Sequence, residues 1–193
     1  MKTLFLTSEG SSHQQLVREI LENYSEVITH HGAFTTSFVK DNSISAILSD
    51  RNGFIITKEI IDSVEGRVYN THPSMLPLHR GWQPVFFSVL ENTAVGVSIH
   101  QVNTGLDKGR IVSQDSIEVS NQDNLKTLHA KCRLKIMELL IHNWPRMLEG
   151  NANLTEQEIG GCYHDKREFE SYFSQLKNHW SSSPSEVRAL RRE

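Results

Sequence analysis

A chain of 193 residues is long enough to bury a sizeable core as one domain, or as one domain with a short extension. Its 20 Lys and Arg against 23 Asp and Glu leave a net charge of −3, with no basic stripe to suit a nucleic-acid partner. No run approaches the roughly 18 apolar residues of a membrane span, and the mean hydropathy of −0.42 fits a chain with no membrane partner.

The chain opens on Leu4, Phe5 and Leu6, an apolar run too short for a signal-peptide core, which predicts a buried strand over residues 2–8. After the polar Ser8 to Ser12, Leu16, Ile20 and Tyr24 recur at helical spacing, with Val17 and Leu21 beside them. A strand over 26–30 and a short helix over 34–42 follow. Ile44 to Ser49 reads as a third strand, Thr57 to Val64 as a helix with Thr57 as N-cap, and Gly66 to Asn70 as a fourth strand. A helix near 82–90 precedes two strands, 94–102 and 110–119. From about Gln122 a long helix carries Leu125, Leu128, Cys132, Ile136, Leu139 and Asn143 on one stripe; Pro145 should kink or end it, because it has no N–H for the carbonyl four residues back. Residues 151–165 read as loop with a short strand pair, 166–177 as a further helix, and Ser181 to Pro184 as a turn or the start of a loose tail holding Arg188, Arg191 and Arg192.

This alternation argues for an α/β fold, Rossmann-like, with a mostly parallel sheet and helices on both faces. Ligands of such sheets sit beyond the carboxyl ends of the strands. The densest chemical feature, Asn70-Thr71-His72-Pro73-Ser74-Met75-Leu76-Pro77, falls at that edge. Asn and His two residues apart project to one face of a strand, and two prolines stiffen the loop after them. Gly105-Leu106-Asp107-Lys108-Gly109 follows a later strand, its Asp held in a tight turn.

Together Asn70, His72 and Asp107 form a set for acyl transfer to nitrogen. The Asn70 amide can donate to the oxyanion of a tetrahedral intermediate. His72 can donate to the same oxygen when protonated or take the amine proton when neutral. Asp107 beside it would raise its pKa and hold its ring. These residues are compatible with either histidine role.

Asn70-x-His72-Pro73-Ser74-x-Leu76-Pro77, Arg80-Gly81, Gly96-Val97-x-Ile99-His100 and Leu106-Asp107-x-Gly109-x-Ile111, in that order, resemble the folate-dependent formyltransferase family. Glycinamide ribonucleotide transformylase, methionyl-tRNA formyltransferase and the sugar N-formyltransferases belong to it. The matching stretch runs from about Ile44 to Gly150, and several motifs in one order are far more specific than a lone short one. The resemblance implies that Asn70, His72 and Asp107 are the catalytic set. Asn52 to Asp62, Arg80 to Thr93, and Gly161-Cys162-Tyr163-His164 look most similar to the nucleotide-sugar N-formyltransferases.

The implied reaction moves a formyl group from N10-formyltetrahydrofolate, the co-substrate, to the amine of a nucleotide-linked 4-amino-4-deoxy sugar. The product would be a surface-polysaccharide precursor. The resemblance implies a catalytic domain over 1–150 and a hairpin and helix extension over 151–193. It places the pterin against Phe54, Ile55 and Ile56 and against the loop carrying Asn103, Thr104 and Leu106. Substrate contacts are expected from Gly10, Ser11, Met75, Gly81, Trp82 and Gln83, where Gly10-Ser11-Ser12 is either a phosphate site at a helix N-terminus or a plain N-cap. Trp82 either stacks on substrate or packs on the sheet.

Two departures from the family stand out. The region before Asn70 is short, and Ser49-Asp50-Arg51-Asn52 has no aromatic where the sugar enzymes carry one. Glycinamide ribonucleotide transformylase and a non-catalytic folate or nucleotide-sugar binding module are the alternatives. Methionyl-tRNA formylation is disfavoured by the acidic balance and by the lack of residues after 193 for an RNA-binding domain.

His100, alternating with Val97 and Ile99, reads as a core-facing or supporting histidine. His13, His30, His31, His79, His129, His142 and His179 form no ligand pattern in sequence, so no metal is expected. Cys132 and Cys162 make no CxxC, which fits a reduced, cytoplasmic setting. A homo-oligomer is compatible with all of this.

Overall fold

The computed structural model describes residues 1–8 and 12–191. Its strands are β1 (Lys2–Thr7), β2 (Glu26–His30), β3 (Ala46–Asp50), β4 (Val68–His72), β5 (Arg80–Gly81), β6 (Gly96–Gln101), β7 (Ile111–Ser116) and β8 (Tyr163–His164). Its α-helices are α1 (Ser12–Glu22), α2 (Thr36–Asp41), α3 (Lys58–Ser63), α4 (Pro84–Leu90), α5 (Leu125–Leu148), α6 (Lys166–Phe173) and α7 (Pro184–Arg188). Six strands form one sheet in the order β2-β1-β3-β4-β6-β7. The pairings among β1 to β4 are parallel, and β6 and β7 close the far edge antiparallel. No helix among the described residues is long and apolar enough to cross a membrane.

Side-chain alternation along the inner strands splits the core in two. Phe5, Ala46, Leu48 and Tyr69 face one hydrophobic cluster with α1, α4 and α5. Leu4, Leu6, Ile47 and Val68 face a second, covered by Val39 of α2 and Ile60 of α3. Helices thus cover both faces of a mostly parallel sheet, as the strand-helix alternation predicts.

Several local expectations change. The buried stripe of α1 is Val17 and Leu21; Leu16 and Tyr24 are exposed. The two stripes are one position apart, and only packing onto β1 and α5 decides between them. In α5 the stripe ends on Leu140 and Trp144 rather than Leu139 and Asn143. That helix also runs through Pro145 to Leu148. The bond Pro145 cannot make falls at Ile141, on the exposed side, where water can take the carbonyl. The final turn is anchored by buried Trp144, Met147 and Leu148 and by a hydrogen bond from the Tyr69 hydroxyl to the Met147 carbonyl, 3.0 Å.

Residues 181–191 are not a loose tail. Ser183 and Glu186 cap α7 reciprocally, with Pro184 at its first turn. Val187, Phe169 and Leu176 join the first cluster, where Phe169 meets Phe86 of α4 edge-on at 5.1 Å. The short strand pair is not local either: β8 pairs in parallel with β5, more than eighty residues earlier.

Candidate active site

Asn70 lies on β4 directly across from His100 on β6. The His100 Nδ1–H donates to the Gln101 carbonyl at 3.0 Å, which leaves Nε2 to accept from the Asn70 amide at 3.2 Å. One Asn70 N–H remains. Two residues on, His72 ends the strand, buried, with Nε2–H donating to the His79 carbonyl at 2.9 Å. Its other nitrogen, Nδ1, faces Asp107 Oδ2 at 3.7 Å. Asp107 Oδ1 lies 3.6 Å from His100 Nε2, and Oδ2 accepts the Gly81 N–H at 3.0 Å. The three side chains singled out in sequence therefore converge at the carboxyl edge of β4, with His100 as a fourth member lying between Asn70 and Asp107.

The electrostatics follow from burial. Burial pushes the His72 pKa down, against the opposing pull of the Asp107 carboxylate and the His79 carbonyl, so the ring is neutral at pH 7. For Asp107, burial pushes upward but is outweighed. The nearby His100 and His72 rings and the Gly81 N–H hold the carboxyl at about 2.

Two scaffolds hold this geometry. The loop after His72 contains a cis Leu76-Pro77 bond and is tied to the sheet. The Ser98 hydroxyl donates to the Ser74 carbonyl (2.6 Å) and the Gln114 amide to the Leu76 carbonyl (2.8 Å). The turn bearing Asp107 has φ of +52° there, and Gly109 lies so close to the Gln101 carbonyl that any Cβ would overlap it. Gln157, from the C-terminal segment, clamps this turn: its amide donates to the Asp107 and Gly109 carbonyls, both at 2.8 Å. Its oxygen accepts from Arg80 Nη2 at 3.1 Å. An open cleft of about 360 Å³ adjoins the turn, lined by Arg80, Leu106, Lys108, Cys162 and Tyr163 among others.

The expected folate contacts divide. Phe54 packs on Phe34, and its backbone N–H and carbonyl are both engaged by the Asn52 side chain (3.0 and 2.8 Å). Ile56 is buried in the second cluster. Only the Ile55 side chain, 80% exposed, is free to meet a flat ring. Asn103 braces its own turn through the Gly105 N–H, while Thr104 and Leu106 are exposed. Of the expected substrate contacts, Trp82 is exposed rather than packed on the sheet, Met75 and Gln83 are half-buried, and Gly81 holds Asp107. Gly10 and Ser11 lie outside the described residues.

Two clusters escaped the sequence reading. At the same sheet edge, buried Asp50 accepts from the Thr71 hydroxyl and lies 3.6 Å from His13 Nε2. Asp50 ends a strand, which is the one signal that could have marked it. Around β5 and β8, His79, Glu91, Cys162 and His164 come together, each offering one donor atom within 4.8 Å of the others. Burial, with the neighbouring His164 and His72 rings, pushes the His79 pKa down to about 4. No spacing rule links positions so far apart.

The sequence profile described as Formyl transferase matches residues 44–143. A methionyl-tRNA formyltransferase from Wolbachia sp. subsp. Drosophila simulans (strain wRi) is 35% identical over 117 residues, 60% of this chain and 39% of that protein. The chain thus spans about two fifths of that relative's length. Among solved structures, the formyltransferase PseJ from Anoxybacillus kamchatkensis superposes with a TM-score of 0.89 at 27% identity, covering 99% of this chain and 100% of that one. It was crystallised with UDP-4,6-dideoxy-4-formamido-L-AltNAc and tetrahydrofolate. A 4-N formyltransferase from Francisella tularensis gives a TM-score of 0.75 at 21% identity, over 89% of this chain and 79% of that one, a likeness of fold.

Proposed function

The chain belongs to the formyl transferase family, and on that premise we propose that it transfers a formyl group from N10-formyltetrahydrofolate to the amine of a nucleotide-linked 4-amino-4-deoxy sugar. The observation that carries this reading is the orientation of His72. With Nε2–H committed to a backbone carbonyl, the lone pair of a neutral ring sits on Nδ1, facing Asp107. That choice favours the base role over the oxyanion-donor role.

The neutral amine attacks the formyl carbon, and the remaining Asn70 N–H donates to the developing alkoxide. His72 Nδ1 takes the amine proton, and the ionised Asp107 stabilises the resulting imidazolium. Collapse of the intermediate breaks the bond to the folate N10, which leaves with the proton returned from His72. No net proton is consumed.

The sugar amine is preferred over other amines because the likeness to a UDP-sugar formyltransferase spans both chains nearly end to end. Exposed Ile55 and the turn at Asn103 to Leu106 suit a pterin; Trp82, beside Gly81, suits a sugar or base face.

The test incubates the chain with N10-formyltetrahydrofolate and, in parallel, 4-amino-sugar nucleotides, glycinamide ribonucleotide and methionyl-tRNA, with formylated product read by mass spectrometry. Product is expected from the sugar nucleotides. Asn70→Ala should lower turnover by ~10²–10³ and His72→Ala by ~10²–10⁴, both with intact folding. Wild-type turnover in either variant overturns the mechanism. Folate binding without product from any amine would mark a binding module instead.

A further inference from the structure

We propose that His79 Nδ1, His164 Nε2, Cys162 Sγ and Glu91 Oε1 form a tetrahedral zinc site that staples the C-terminal segment to the strand beside His72 and Asp107. This inference stands apart from the formyl-transfer reading and is tested without it.

The atoms are already spaced as ligands. Zinc binds imidazole nitrogen at about 2.0–2.1 Å and thiolate at about 2.3 Å, so the edges of a tetrahedral site measure roughly 3.3–3.6 Å. Here His79 Nδ1 lies 3.1 Å from His164 Nε2 and 3.4 Å from Cys162 Sγ. Glu91 Oε1 lies 3.3 Å from His164 Nε2. All four atoms fall within 4.8 Å of one another.

The outer nitrogens are also set for metal binding. His79 Nε2–H donates to the Thr93 hydroxyl at 2.7 Å, and His164 Nδ1–H to Glu168 Oε2 at 2.9 Å. Each bond fixes the tautomer whose inward nitrogen carries a lone pair, the arrangement that commonly supports metal-bound histidines. Two lone pairs aimed at each other across 3.1 Å repel unless a cation lies between them. The His79 backbone N–H donates to Cys162 Sγ at 3.1 Å, which orients the sulfur. The Phe87 ring stacks on His164 at 3.7 Å and holds it in place.

Donor chemistry selects the ion. One thiolate, two imidazoles and a carboxylate suit zinc rather than magnesium or calcium. Two anionic and two neutral ligands cancel the dication, so no net charge is buried; binding releases the Cys162 proton to solvent. Four protein ligands leave no open position, which marks a structural site. Cys162 also lines the open cleft, which gives the ion a way in.

The consequence reaches the candidate active site. The His79 carbonyl accepts from His72, and the Gly81 N–H donates to Asp107. The ion would hold the strand that orients both.

The whole chain is purified, stripped with a chelator, and titrated with zinc by calorimetry, with metal content read by mass spectrometry and melting followed with and without zinc. About one zinc per chain is expected, with a zinc-dependent rise in melting temperature. Cobalt exchanged into the wild type should show a thiolate charge-transfer band and tetrahedral visible bands. Cys162→Ser should lose the charge-transfer band, and Glu168→Gln, which keeps all four ligands, should weaken zinc ~10–100-fold. A stripped wild type that binds no zinc, melts identically with and without it and shows no cobalt–thiolate band overturns the proposal, leaving a proton shared between the two histidines. Zinc uptake unchanged in folded Cys162→Ser overturns it equally.

Discussion

Gln157→Ala is the sharpest test of how the Asp107 turn is held, because Gln157 lies fifty residues further along the chain and touches the carboxylate residue only through its backbone. The amide donates two hydrogen bonds of 2.8 Å, to the Asp107 and Gly109 carbonyls. Both are part-buried, and each such bond contributes about 1 kcal/mol net. Removing the side chain should therefore cost about 2 kcal/mol, roughly thirtyfold in the equilibrium between the held and the open turn. A displacement on the order of 1 Å at a reacting group can cost ~100-fold in rate, so kcat should fall by about 10- to 100-fold. Gln157→Glu should be worse: it has no N–H to offer and sets a carboxylate against two carbonyl oxygens. Steady-state kinetics on the formyl-transfer reaction, with urea melts of the same preparations, measure both effects. Gln157→Ala with wild-type kcat and wild-type stability would show that the turn holds itself, and the clamp argument would be wrong.

Gly109→Ala drives a methyl group into the Gln101 carbonyl. It should cost about 1–3 kcal/mol in urea melts and lower kcat at least about tenfold as Asp107 moves. The Asp107 carboxyl, held at about 2 against 3.8 when free, stabilises the fold above about pH 4. That stabilisation, about 2 kcal/mol, is lost as pH falls from about 4 to 2, because only the unfolded chain binds the proton readily in that window. The stability gap between wild type and Asp107→Asn, followed by urea melts, should therefore shrink over that range; a gap constant with pH contradicts the assignment. Val187→Ala should cost about 2 kcal/mol through the cavity left in the first cluster, and an unchanged urea midpoint would mean that α7 contributes nothing to the core.

What was readable in the sequence was whatever repeats locally. The strand runs of Leu4 to Leu6 and Ile47 to Leu48, the start of α3 after Thr57 and the Asn70-x-His72 pair all depend on neighbours a few residues away, and the structure keeps them, although Thr57 makes no side-chain cap bond. Two helices depart from expectation where two periodic solutions lie side by side. In α1 the stripes through Leu16 and through Val17 are equally helical, and in α5 those ending on Asn143 and on Trp144 are as well; only the partner surface selects one. Pro145 does not end α5, because an exposed carbonyl can exchange its partner for water cheaply. The contacts that finish the site were beyond any local rule. Arg80 to Gln157 spans 77 positions and His79 to His164 spans 85. Asp107 could be picked out between its glycines, but the clamp on it could not.

One stretch, residues 79–81, touches both ends of the proposed proton path: His79 through its carbonyl on His72 Nε2, Gly81 through its N–H on Asp107 Oδ2. The same stretch pairs with β8. A disturbance of that pairing therefore moves the base and its carboxylate together and tends to keep their separation, whereas a disturbance of Gln157 moves the carboxylate alone. The two should leave different kinetic traces. Weakening the β5–β8 pairing should lower kcat with little shift in the pH at which His72 titrates. Weakening the Gln157 clamp removes the charge that opposes burial at His72, so the acidic limb of the pH–kcat profile should move to lower pH while its height falls. If both perturbations shift the limb alike, the Asp107 turn and the 79–81 stretch move as one body, and Gln157 is a strut rather than an independent clamp.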